Sequence, residues 1–292
     1  FYDSRGENTM KYACDICGAD DAVEVPHVRE YTGGQVIHIC KSCGFVYVRE
    51  RRTHKEIADV WSKELFGKGK GYTSRTPLML ARHNYVAEFI DQAAGLRGKV
   101  VCDIGAGEGQ FLNIVKKDYG AEAFGIEPSG DNCKTLAGLG IPYFNGTCEE
   151  YVEKRSPSKE IDIVTMMWTL ENSTSCNDLI KGAWDILKDG GYIVVATGSR
   201  ILVPFQKPLD MYLSKNPVDA HCFRFSMRSL SSILAKNKFS VSKINDYLND
   251  GILCVIARKT DKASGIKKDD HKKVVEFFEK WHNETKYFKG LS

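Results

Sequence analysis

Four cysteines, a glycine run and two spaced carboxylates carry the chemistry legible in this chain. Cys14-Asp15-Ile16-Cys17-Gly18 and Cys40-Lys41-Ser42-Cys43-Gly44 are two C-x-x-C-G knuckles. Each knuckle turns two thiolates toward one point, and two together form a tetrahedral sulfur set that suits Zn2+. Four cysteine ligands leave no open coordination position, so Cys14, Cys17, Cys40 and Cys43 predict a structural metal. Cys102, Cys133, Cys148, Cys176, Cys222 and Cys254 show no ligand spacing and read as buried thiols.

The run Asp103-Ile104-Gly105-Ala106-Gly107-Glu108-Gly109 follows the apolar stretch Lys99–Cys102 and precedes the helical stretch Gln110–Val115. A strand, a glycine turn and a helix in that order bring close backbone approach and free N–H groups to one ligand. The spacing is G-x-G-x-G. A dinucleotide fingerprint needs its third glycine at position 110, which is Gln110. Asp103 ends the first strand. Glu127 ends the next strand-like run, Ala123–Glu127, about 20 residues on, where an acid can hold a ribose hydroxyl pair.

Histidine is the usual base near neutral pH. Among seven histidines, His221 is best placed, in the non-repetitive stretch Gly198–Arg224 that follows the fifth strand and covers the expected pocket. Phe225-Ser226 then opens a helix, with Ser226 as its N-cap. His83, on the helix expected over Thr76–Ala94, is the second candidate. Tyr72, Arg75 and Arg224 are candidates for holding an anionic substrate group.

Residues 10–50 read as a zinc ribbon. Its hairpin turns at Gly33-Gly34, between strands expected at Val23–Tyr31 and Gln35–Ile39. Residues 51–98 read as a helical connector or lid, with Gly67, Gly69 and Gly71 in a flexible stretch. From residue 99, strands alternate with helices, at 99–103, 122–127, 141–144, 161–167 and 191–197. The turn Asp189-Gly190-Gly191 precedes the last of these. Ser240–Leu248 and Ile252–Arg258 flank Asn249-Asp250-Gly251, an antiparallel hairpin signal. The expected fold class is therefore α/β, a doubly wound, mostly parallel seven-stranded sheet over residues 99–260, behind a small zinc ribbon. Residues 261–292 read as a charged tail with a helix at Lys272–His282. In such a sheet the ligand sits at the carboxyl ends of the strands.

The motif at 103–109 with Glu127 resembles the cofactor site of class I S-adenosylmethionine-dependent methyltransferases. That resemblance implies S-adenosylmethionine as cofactor. It implies that Asp103, Gly105, Ala106, Gly107, Gly109, Phe111, Glu127 and Pro128 hold it. Gly146, Thr147 and Cys148 would then flank the adenine, and Met167 and Trp168 would pass under the methionine part. Ribbon, connector, sheet and His221 together are similar to bacterial zinc-ribbon methyltransferases of sugar, polysaccharide and natural-product pathways, over roughly residues 12–258. Such relatives often read leucine-glutamate-histidine where this chain has Leu170-Glu171-Asn172, so a histidine role cannot be carried to Asn172. The ribbon is shorter than in the sugar-nucleotide C-methyltransferases, and their additional C-terminal domain has no clear counterpart. The expected reaction is O-methylation of a small-molecule or glycan acceptor, a sugar or related hydroxyl compound. Sugar-nucleotide C-methylation is the alternative. RNA methylation and non-catalytic S-adenosylmethionine binding are the readings from other classes.

Composition agrees with a globular chain: 292 residues, 42% hydrophobic and 27% charged. No apolar run approaches a membrane span, and no signal segment opens the chain. Ten cysteines then predict a reducing, cytoplasmic setting. Met10-Lys11 reads as a candidate native start, with residues 1–9 either a leader or a non-native addition. The net charge of +3 resides in residues 259–292, where nine Lys face six Asp and Glu. The balanced remainder argues against a nucleic-acid partner.

Overall fold

The computed structural model describes residues 10–65, 76–154, 160–214, 220–246 and 251–288. In chain order, the N-terminal part holds β1 (Met10–Lys11), β2 (Ala22–Glu24), α1 (Val28–Tyr31), β3 (His38–Cys40), β4 (Val46–Tyr47) and β5 (Glu50–Arg51). The connector holds α2 (His54–Asp59), a π-helical turn at Val60–Leu65 and α3 (Pro77–Ala94). The main sheet begins with β6 (Val100–Ile104), α4 (Gln110–Tyr119), β7 (Glu122–Glu127), α5 (Gly130–Gly138), β8 (Tyr143–Asn145) and α6 (Cys148–Lys154). It continues with β9 (Ile161–Met167), α7 (Cys176–Ile186), β10 (Leu187–Thr197), α8 (Leu209–Ser214), β11 (Phe223–Arg224), α9 (Met227–Lys236), β12 (Phe239–Ile244) and β13 (Leu253–Lys259). Helix α10 (His271–Thr285) closes the series.

Seven strands pair in the order β12-β13-β10-β9-β6-β7-β8. The five strands from β6 to β10 are parallel, and β13 and β12 add an antiparallel edge. Every residue of β9 is buried, as expected for a parallel strand covered on both faces. The Asp189-Gly190-Gly191 turn is instead absorbed into β10. Leu187 pairs with Ile161, and a register shift then precedes the pairing of Tyr192 with Ile163. Gly190 takes φ +74 there, so the extra residues form an irregularity inside the strand rather than a turn before it. The Asn249-Asp250-Gly251 turn falls largely outside the described residues.

Helix starts follow local chemistry. Thr76 caps α3 by accepting from Met79 N at 3.2 Å, with Pro77 at the first helical turn. Ser226 caps α9, accepting from Ser229 N at 2.9 Å.

The N-terminal sheet differs from the expected hairpin. Its order is β11-β4-β3-β2, so its fourth strand comes from residues 223–224, far along the chain. Pairing along Val23–Tyr31 stops at Glu24. Pro26 carries no N–H for a ladder, and His27 turns left-handed at φ 59 to start α1. Arg51 ties this region to the main sheet, donating to Asp15 Oδ2 and to Thr174 O, each at 2.6 Å.

The charged C-terminal stretch is seated rather than trailing. Val274, Phe278 and Trp281 of α10 pack with Ile37, Ile39, Leu209 and Leu213, because the helix carries one apolar stripe. Asp269 N donates to Cys43 O at 3.1 Å just upstream. No helix among the described residues is long and apolar enough to cross a membrane.

Candidate active site and metal centre

The two knuckles bring four sulfurs together. Cys14 Sγ lies 3.5 Å from Cys43 Sγ, and Cys17 Sγ lies 3.5 Å from Cys40 Sγ. All four lie within 4.8 Å of one another. Zinc–sulfur bonds of about 2.3 Å in a tetrahedron require sulfur separations of about 3.8 Å. The donor set therefore fits Zn2+. Gly18 and Gly44, at φ +74 and +71, close the knuckles through N–H bonds to Cys14 O and Cys40 O. The metal belongs to the frame, and its surroundings give it no role in chemistry.

A cavity of about 810 Å3 lies at the carboxyl ends of β6, β7, β9 and β10. Its first half is built on the glycine turn after β6 and the carboxyl end of β7. Gly105, at φ +75, lies against Thr169, where an added Cβ would fall 2.5 Å from Oγ1. Glu127 is buried, and three donors hold its carboxylate. Gly107 N donates to Oε2 at 2.7 Å, and Ser129 N donates to Oε1 at 2.8 Å. Asn132 Nδ2 donates to Oε1 at 3.3 Å. A carboxylate offers about four lone-pair sites, so Oε2 keeps one for a hydroxyl of the ligand. A ribose diol, as in the expected S-adenosylmethionine, fits that acceptor. Asp103 accepts from Thr165 Oγ1 at 2.6 Å, and burial pushes its carboxyl up to about 8.

Asp103, Gly105, Ala106, Gly107, Phe111, Glu127, Pro128, Thr147, Cys148, Met167 and Trp168 all line this cavity. Gly109 does not. It caps α4 at φ +77 and faces Leu136, which an added Cβ would strike at 2.5 Å. Its glycine is required by packing behind the turn. Trp168 adopts φ +57, a left-handed backbone unusual for a bulky residue, and its buried Nε1 has no partner.

The second half of the cavity is assembled from distant segments. Thr197 Oγ1 donates to Glu171 Oε1 at 2.6 Å and accepts from Ser199 N at 3.0 Å. Ser199 Oγ in turn contacts His221 Nε2. Glu171, His221 and the end of β10 thus form one hydrogen-bonded string along the wall. Burial pushes Glu171 up to about 7, and its Oε2 has no partner. His83 also lines the cavity, edge-on to Trp168 with centroids 5.5 Å apart. Burial drives its imidazole down to about 4, so it is neutral at ordinary pH. Arg224 lines the same end, and its Nη1 donates to His221 O at 2.9 Å. Tyr72 and Arg75 lie outside the described residues.

Some wall residues were not anticipated as site residues. Glu171, Ser199 and Arg200 follow β9 and β10, so the rule that ligands sit at strand carboxyl ends could have found them. Tyr212 and Trp281 also line the cavity, and no motif announces either. Trp61 lines it too, and its Nε1 donates to Ala220 O at 3.2 Å.

Comparison with known proteins bears on the family and the fold. Over 158 residues the chain is 30% identical to the ubiquinone biosynthesis O-methyltransferase of Aliivibrio fischeri (strain ATCC 700601 / ES114). That match covers 52% of this chain and 63% of the relative, so it spans less than two thirds of that protein's length. The geranyl diphosphate C-methyltransferase of Streptomyces coelicolor A3(2) superposes with a TM-score of 0.51 at 14% identity, over 71% of this chain and 98% of that one. A chain from the complex containing the Haloferax volcanii Trm112 methyltransferase activator gives 0.53 at 14% identity, over 70% and 97%. These two likenesses show the class I methyltransferase fold. A family model described as "Methyltransferase domain" (Methyltransf_23) matches residues 80–244. From α3 to β12, over more than half its length, the chain belongs to this methyltransferase domain family.

Proposed function

We propose that this protein transfers the methyl group of S-adenosylmethionine to a hydroxyl oxygen of a small molecule, a sugar or related hydroxyl compound. The observation that carries the reading is one continuous cavity, with Glu127 and the glycine turn at one end and the Glu171–Thr197–Ser199–His221 string at the other. The names of the curated relatives favour oxygen over carbon as the acceptor atom. Ten cysteines, all free, suit a reducing cytoplasm.

When bound, S-adenosylmethionine supplies a methyl on a sulfonium, an already activated leaving group. The chain's own work is then to bind, align and deprotonate. Glu127 fixes the ribose, and Met167 and Trp168 close the floor. A hydroxyl nucleophile gives up its proton as its oxygen bonds to carbon, and a base with a pKa near neutral serves best. His221 takes that proton in our reading, with Ser199 orienting its ring. His83, neutral and held between Phe111 and Trp168, shapes the wall instead.

Methyl-labelled S-adenosylmethionine incubated with a panel of sugars, sugar nucleotides and other hydroxylated metabolites tests this reading. Label on oxygen of at least one acceptor is the expected result. Label on carbon would move the assignment to C-methylation. Calorimetry showing that the folded protein binds neither S-adenosylmethionine nor S-adenosylhomocysteine would remove it.

A further inference from the structure

Buried arginines come in two kinds in this molecule. Arg51 is fully buried and fully engaged: it donates to Asp15, Thr174 O and Val48 O. Its guanidinium also stacks over Tyr12 and Phe223, at 4.6 and 4.5 Å from the ring centroids. Arg200 and Arg224 are nearly as buried, at 7% and 3% exposure, yet each makes a single hydrogen bond among the described residues. Arg200 Nη1 donates to Ile252 O at 2.7 Å. Arg224 Nη1 donates to His221 O at 2.9 Å. Arg200 Nε is buried with no partner. Among the described residues neither guanidinium has a carboxylate within ion-pair distance, and both line the cavity.

A guanidinium has five donors and cannot shed its proton in a protein. Leaving it buried without a counter-charge is costly, and a lysine could escape that cost by neutralising itself. Two such groups at one end of one cavity mark a place where negative charge arrives. The segments that carry them adjoin, with Arg200 paired to Phe225, the residue after Arg224. Phe225 N donates to Ser199 O at 2.7 Å, and Ile201 N donates to Phe225 O at 2.9 Å, so the segment after β10 and the end of β11 run side by side. The Tyr212 hydroxyl is a third donor, buried and without a partner among the described residues, on the same cavity. Glu171, the acid at this end, is turned to Thr197 and pairs with neither arginine.

We infer that the methyl acceptor carries an oxyanion, a carboxylate or a phosphate, held by Arg200 and Arg224. The planar guanidinium fork matches both groups with paired N–H bonds. Tyr212 donates to the same oxyanion. The inference rests on the methyl-transfer reading and narrows it from a hydroxylated small molecule to an anionic one.

Calorimetry on the full chain saturated with S-adenosylhomocysteine tests it with three probes: phenyl phosphate, benzoate and neutral benzyl alcohol. One anion is expected to bind at least tenfold more tightly than the alcohol, and which one does so identifies the oxyanion. Arg200→Gln and Arg224→Gln are each expected to weaken that anion by about tenfold or more, as for a lost hydrogen bond to a charged group. Both are expected to leave S-adenosylhomocysteine affinity unchanged, which also shows that they fold. Arg224→Lys, which keeps the charge but loses the fork, falls between. Equal binding of all three probes, or anion binding that survives both Gln variants, overturns the inference. Failure of S-adenosylhomocysteine to bind the parent protein brings down the methyl-transfer reading, and this one with it.

Discussion

At the donor end of the cavity, most wall residues lie within a few positions of a strand's carboxyl end. Gly105, Ala106, Gly107 and Phe111 follow β6, Glu127 ends β7 with Pro128 next to it, and Met167 ends β9 with Trp168 next to it. At the acceptor end the wall is gathered from the turn after β9, the end of β10, α8 and the residues around β11. The two ends thus depend on different supports. The donor end rests on the parallel sheet and on α3, whose His83 lies between Phe111 and Trp168. The acceptor end also needs the ribbon, because β11 pairs with β4: Phe223 opposite Tyr47 and Arg224 opposite Val46. Val48 N also donates to Cys222 O at 2.9 Å, one residue from His221. The ribbon strand β4 thereby pairs with a strand that begins two residues after the proposed base, His221.

The sharpest way to break this contrast is to remove the base alone. His221→Ala is expected to lower kcat by about 10²- to 10⁴-fold, the usual worth of a positioned proton acceptor. Its dissociation constant for S-adenosylhomocysteine is expected to stay unchanged by calorimetry. A parallel loss of donor affinity would mean that the ends are not separate. Next comes the frame. Cys43→Ser, with loss of the metal confirmed by mass spectrometry, is expected to lower transfer by about 100-fold, since a displacement of about 1 Å costs that much. Amide exchange at residues 222–226 is expected to accelerate, while amides of β6 and β7 stay protected. Exchange rising equally in both regions would show that the ribbon supports the whole sheet. At the donor end, Glu127→Ala removes the acceptor for Gly107 N, Ser129 N and Asn132. Donor affinity is expected to fall by roughly 10- to 100-fold, in line with about 1.5–3 kcal/mol for a hydrogen bond to a charged group. Acceptor KM is expected to hold.

The same contrast explains what was legible in the sequence. Donor residues sit in one contiguous motif or at strand ends, so Asp103 and Glu127 could be named from pattern, and Met167 through the family resemblance. Strand β9 was legible from its apolar run, since it is buried along its whole length, and the antiparallel edge was legible from the Asp-Gly hairpin signal. The ribbon's metal ligands were legible because knuckle spacing is local. Gly109 misled, since a turn glycine can be required by Leu136 behind it as readily as by a ligand in front. Arg200 and Tyr212 could not be assigned, because no motif marks them and the role proposed for them rests on donors, Arg200 Nε and the Tyr212 hydroxyl, left without partners among the described residues. The pairing of β11 with β4 joins residues more than 170 positions apart, and a two-residue strand leaves no periodicity to read.

The smallest expected effect separates the two ends by pH. Asp103 is buried at the donor end, and its carboxyl is raised from 3.8 to about 8. Desolvation is the largest cause, partly offset by the Thr165 hydroxyl. A raised carboxyl binds its proton more tightly folded than unfolded, so the stability it contributes is full below pH 3.8 and is lost as pH rises through 8. The slope for one such group is at most about 1.4 kcal/mol per pH unit. Between pH 6.5 and 8.5, where the sulfur ligands remain metal-bound, the unliganded protein is expected to lose several degrees of Tm. Asp103→Asn removes the titration and is expected to flatten that loss. Glu171, raised to about 7 at the acceptor end, contributes with the same sign over a lower window. Glu171→Gln is therefore expected to flatten the lower part of the curve and Asp103→Asn the upper part. If both variants flatten the same interval, the two carboxyls titrate as one coupled pair through the sheet, and the ends of the cavity are electrostatically a single site.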